Sequence, residues 1–223
     1  MRRQAAFVLF CGLAPLLVAG PGAGGVQAAE PPSVDALLDQ GVAELRAGRV
    51  EAAVAALDRV AELDPPSMPY LWQRGIAQYL AGQYREGRAQ FEAHRRVNPR
   101  DVENATWHFI CVAAVDGFEA ARKGILPAPG DRRVPMREIH ALYAGTGDRA
   151  AVEAAVDALP AGSAGRRSAR FYADLYLGLL EHAEGNADAA AKHLKAAAAV
   201  PEQHVMADVA RVTYQRLVEK DSK

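Results

Sequence analysis

The sequence predicts an all-α protein built from repeated helix–turn–helix units, and three observations carry that expectation. Half of the 223 residues are hydrophobic, yet aromatics make up only 7% and alanine supplies much of the rest. Alanine favours helix and lets helices approach closely, while β-branched runs of strand type are scarce. Gly41 and Gly48 lie 34 residues before Gly75 and Gly82, and Pro65 lies 34 before Pro99. A third copy of the same signal appears late in the chain, where Gly178 and Gly185 keep the seven-residue offset and Pro201 follows.

From the N-terminus, residues 1–28 read as an export signal. Arg2 and Arg3 form a positive n-region and Ala5 to Ala19 an apolar h-region, while Val26-Gln27-Ala28 offers small residues for cleavage. The expected product is periplasmic or secreted, cleaved near Ala28. An uncleaved anchor is the alternative. It is disfavoured because the apolar run is shorter than the ~20 residues that span a bilayer and Pro15 interrupts it. Phe10 before Cys11 is too bulky for a lipid-attachment site. Without the signal, Cys111 is the sole cysteine, set in the apolar stretch WHFICVAAV, where it behaves as a small hydrophobe.

The first unit spans 34–66 and the second 67–100. In each, one glycine lies inside the first helix, where its missing side chain admits the second helix at close range. The second glycine ends that helix, where a left-handed residue is cheapest without a Cβ. Small residues Ala53, Gly87 and Ala190 face back onto the first helix, and Leu57, Phe91 and Leu194 fill the gap one turn later. Pro65, Pro99 and Pro201 stop the second helix. Residues 101–160 diverge. A helix opens at Asp101 and closes at Asp116-Gly117, its partner is cut short, and the proline-rich 125–134 segment reads as a loop. Two more helices follow in PMREIHALYAG and DRAAVEAAVDAL, then a loop in PAGSAGRRS. The last unit covers 168–202, and 203–220 reads as a half-polar capping helix with Val205, Val209 and Val212 on its apolar face.

This 34-residue helix–turn–helix period resembles the tetratricopeptide repeat (TPR) family. The chain is similar to exported bacterial TPR proteins related to TPR lipoproteins of the cell envelope. It departs from the family pattern at the consensus tryptophan position, held by Leu37, Leu71 or Asp174, and at the tyrosine position, held by Glu44, Gln78 or Glu181. The resemblance implies a solenoid whose first-of-pair helices line a concave face, and an adaptor or scaffold role for a protein or peptide partner. By position within the unit, it points to Leu38 and Leu45, to Trp72, Ile76 and Tyr79, to Ile110, and to Tyr172, Leu175 and His182 as groove residues. The competing expectation is that the irregular middle or the capping helix covers this face.

Other function classes find less support. A net charge of −1 argues against nucleic acid, which needs a basic surface. Three short basic clusters, around Arg95, Arg132 and Arg166, read as solvated surface, with a membrane-surface contact to phospholipid as the sharper alternative. No nucleophile elbow, phosphate-cradling loop or metal-ligand spacing is present, so no catalytic residue, metal or cofactor is expected. His108 and Cys111, three apart on one helix, supply only two of the four ligands of a tetrahedral zinc site. A small-ligand or metal-carrying accessory centred on that pair is the alternative from another class.

Overall fold

A computed structural model describes residues 32–201 and 204–219, all helical or connecting, with no strand among them. The export-signal expectation for residues 1–28 falls outside the described residues. Eleven α-helices follow in order: α1 Val34–Arg46, α2 Val50–Leu63, α3 Trp72–Leu80, α4 Tyr84–His94, α5 Val102–Asp116 and α6 Phe118–Lys123, then α7 Met136–Tyr143, α8 Arg149–Asp157, α9 Ala164–Glu184, α10 Ala187–Ala198 and α11 Val205–Tyr214. A tight 3₁₀ turn, Pro65–Tyr70, separates α2 from α3, and a wide π-type turn, Gln215–Glu219, ends the described chain.

Three helix hairpins share one packing device. α1 packs on α2, α3 on α4 and α9 on α10. In each, a glycine of the first helix seats a large side chain of the second. A Cβ at Gly41 would lie 2.5 Å from Leu57 Cγ, one at Gly75 2.7 Å from the Phe91 ring, and one at Gly178 2.7 Å from Leu194 Cγ. No alanine fits without displacing its partner. The turn glycines Gly48, Gly82 and Gly185 have φ of +76°, +79° and +83°, the left-handed region that side chains resist. Between hairpins, Arg74 on α3 donates to Asp58 on α2 at 2.6 Å and to Gln90 on α4 at 2.8 Å. Gln90 in turn donates to the Met68 carbonyl at 2.7 Å, fastening the proline turn.

α5 is the axial element. Val102 and every residue from Asn104 to Val112 are buried, as expected of a helix apolar on all sides. It packs on α4 and α6, and also on α7 and α9, so the later helices return across it. Phe109 meets Tyr143 edge-on at 5.0 Å, and Tyr143 Oη donates to the Tyr176 carbonyl at 2.7 Å. Aromatic rings thereby join α5, α7 and α9 into one core.

Two boundaries differ from the sequence expectation. PAGSAGRRS is a loop only as far as Ser163, whose Oγ accepts from the Arg166 amide at 3.1 Å and starts α9 seven residues before Phe171. Arg166 reaches Asp157 and Arg170 reaches Glu153, so charge pairs with α8 hold the added turns. The C-terminal helix, expected to be half-polar, is buried at Met206–Ala210 and at Val212 and Thr213. Alanines among the valines widen its packing surface, and it lies against both α10 and α1. Arg46 on α1 meets Asp208 at 2.5 Å, and Arg216 forks onto Glu51 of α2 at 2.8 and 2.7 Å. The last helix thus returns to the first hairpin.

Candidate functional site

Where α3, α4 and α5 approach α11, a cavity of about 260 Å³ opens. Trp72 and Ile76 come from α3, Phe91 and His94 from α4, Glu103, Asn104 and Trp107 from α5, and Met206 from α11; Asn98 and Asp101 line it from the α4–α5 connection. The Gly75 seat positions part of this wall, since the Phe91 ring lies over Gly75 and stacks at 6.5 Å on Trp107. Trp107 is braced from its other side by Tyr79, edge-on at 5.8 Å. Trp72 is only half-buried, and so offers an aromatic surface at the cavity.

The polar side of the cavity has defined partners. His94 Nδ1 lies 2.8 Å from the Pro69 carbonyl, which can only accept, so Nδ1 carries a hydrogen. Asn104 donates from Nδ2 to the Phe91 carbonyl at 3.1 Å. Its Oδ1 has no partner, and neither has the Trp107 indole Nε1–H, although both residues are almost wholly buried. A buried polar atom left unpaired costs about 1–3 kcal/mol, so these two stand out.

An ion-pair cluster flanks the site. Arg133, from the 125–134 loop, donates to Asp101 at 2.8 Å, to Asp131 at 2.7 Å and to Glu103. Its guanidinium also lies 5.9 Å from the centre of the Tyr172 ring. Tyr176 Oη donates to the second Glu103 oxygen at 2.6 Å. Burial nevertheless pushes the Glu103 carboxyl above its ordinary pKa, against the opposing pull of Arg133 and the Tyr176 hydroxyl. For Asp131, burial also acts upward, but hydrogen bonds from the Arg133 side chain and backbone and from the Val102 amide prevail, and its pKa falls. Burial, then the Glu103 charge, raises the Tyr172 phenol to about 12. The loop is thus pinned to the start of α5 and roofed against α9.

The residues expected in a groove divide. Trp72 and Ile76 meet at the cavity. Leu45, Ile76, Tyr79, Ile110 and Leu175 are core residues, 4% exposed or less, and of these Ile76 lines the cavity. Leu38 packs in a separate small cluster with Leu37, Val60 and Leu71. Tyr172 stands half-buried beneath Arg133, and His182 borders a different opening with Leu217 and Val218. Among these elements α9 packs on α5, and α11 on α1. Asn104, Trp107, Glu103 and His94 were not expected at a site. For Asn104 the visible signal was a polar residue at the edge of an apolar run, in NATWHF.

His108 and Cys111 lie elsewhere. His108 Nε2 is 3.3 Å from Glu92, and Cys111 Sγ faces Gly87, where an added Cβ would lie 3.1 Å away. Burial raises the thiol pKa far above the reactive range. Among the described residues no group of three or more His, Cys, Asp or Glu side chains could hold a metal ion. No described helix is long and apolar enough to cross a membrane. Neither the protein-family models nor the curated proteins contain a match to this chain.

Proposed function

We propose that the chain is a TPR-type repeat protein of the cell envelope, exported by its N-terminal signal, which holds a peptide or protein partner and catalyses nothing itself. The carrying observation is the cavity between α3, α5 and α11, an aromatic wall with a partly exposed Trp72 at a point where large side chains otherwise close the core. Interfaces are often anchored by such aromatic residues in partly enclosed pockets. The threefold glycine seat and the 34-residue spacing of its first two copies support the repeat reading. At this volume, just below the range typical of ligand sites, the cavity suits one or two side chains of a partner segment.

The test is affinity capture from cell-envelope extract with the parent protein and with Trp72→Ala, both matched for helicity. A partner retained by the parent and lost by the variant supports the reading; equal retention places the interface elsewhere. A small-ligand carrier is the second reading, favoured by the closure of one side of the cavity by Met206 of α11. It rests on this cavity and not on His108 and Cys111, which face α4.

A further inference from the structure

Three connections of the chain are fastened side by side. The turn Pro65–Tyr70 is held to the end of α4, where Gln90 donates to the Met68 carbonyl at 2.7 Å and His94 Nδ1 to the Pro69 carbonyl at 2.8 Å. Residues 95–101, which follow α4, are held in turn to residues 131–134. Arg133 donates to Asp101 at 2.8 Å, and the Val102 amide donates to Asp131 at 3.3 Å. Tyr70, Val97 and Val134, one from each connection, are exposed, and so is Leu63, two residues before the first. No other large hydrophobic side chain is exposed among the described residues.

The same connections carry unspent positive charge. Their two acids, Asp101 and Asp131, both hold Arg133. Arg95, Arg96, Arg100 and Arg132 are left without an ion pair among the described residues, and the last three are exposed. Arg100 and Arg132 line one opening of about 480 Å³ where two of the connections meet. The third basic cluster of the sequence is spent differently, since Arg166 holds Asp157 and Arg170 holds Glu153.

We propose that this surface docks on an anionic lipid membrane, with the free arginines at headgroup phosphates and Tyr70, Val97 and Val134 at the interface. Exposed arginines with no partner to fix them suit many dispersed phosphates better than one clamped anion. A tyrosine brings an apolar ring and a polar tip, which suits the headgroup level. An acidic protein segment would meet the same charge but leave the three apolar side chains in water. Lipid contact here requires nothing of the Trp72 cavity.

The test follows amide exchange of the full chain with vesicles of phosphatidylglycerol and phosphatidylcholine, with phosphatidylcholine vesicles alone, and with soluble oligoglutamate. Anionic vesicles should slow exchange in residues 65–70, 95–101 and 131–134, and leave the turns at Gly48 and Gly82 unchanged. Neutral vesicles should not, and raised salt should reverse the effect. In Arg100→Gln/Arg132→Gln, the lipid concentration giving half of the slowing should rise about tenfold or more. Lys192→Gln/Lys195→Gln removes the same charge from α10 and should leave that concentration unchanged. Equal slowing by neutral vesicles, slowing by oligoglutamate alone, no slowing by any probe, or slowing indifferent to the arginine pair overturns the proposal.

Discussion

Gly75 ties repeat packing to the site at the scale of one atom. An added methyl would meet Phe91 Cζ, Cε1 and Cε2 at 2.7–3.0 Å. Gly75→Ala gains about 1 kcal/mol of helix propensity but overpacks by about 1–3 kcal/mol, so a net loss of stability is expected. Phe91→Leu should be costly in the parent and nearly neutral in the Gly75→Ala background. Chemical denaturation of the four proteins measures that coupling, and additive effects would contradict the seat. His108 makes a pH prediction. Burial lowers its pKa, Glu92 partly offsets this, and Arg88 and Arg95 add to it. The folded state then binds fewer protons than the unfolded chain, so this contribution is full above the unfolded value, about 6.5, and is lost as pH falls from there through the lower folded value. The melting temperature should drop less between pH 7 and 5 in His108→Gln than in the parent. The glycine seats were legible from spacing alone, because close helix approach leaves no alternative residue. The orphaned atoms of Asn104 and Trp107 were not, since sequence shows a polar residue but never whether its partners arrive.

Among elements, the 125–134 loop owes its position to one side chain. Arg133 joins Asp101, Glu103 and Asp131, and its planar fork serves them in ways a lysine ammonium cannot reproduce. Arg133→Ala should raise amide exchange across 125–135 by about tenfold or more, with Arg133→Lys recovering only part. Exchange left unchanged would show that the prolines alone fix the loop. The sequence marked this segment as a loop through Pro127, Pro129 and Gly130, but Arg133 read only as a member of a basic cluster. Its three carboxylate partners lie up to 32 residues away, at a distance set by tertiary packing. The start of α9 was misplaced for a related reason. Small residues suggest a turn, while the Ser163 cap and the charge pairs to α8 select helix.

Across the whole molecule, the helices form a chain whose end returns to its beginning. An open repeat array would let the C-terminal helix melt without touching α1. Here Arg46–Asp208 couples α11 to α1 and Arg216–Glu51 couples the turn after α11 to α2, so removing residues 204–223 should lower exchange protection in residues 34–46 as well as in α10. Protection of α1 that survives this truncation would contradict the coupling. The helical class and three hairpins were legible from composition and spacing. The return of α11 was not, because Val205, Val209 and Val212 fit a one-faced cap equally well. Met206 of α11 lines the cavity beside Trp72 and Ile76, and recognition at this cavity is the central claim. The direct measurement places a photo-crosslinking amino acid at position 72, in the cavity wall, or at position 70, on the exposed proline turn, and irradiates cell-envelope preparations. A protein adduct from position 72 and none from position 70 is the predicted result. An adduct from position 70 alone, or from neither position, would contradict it.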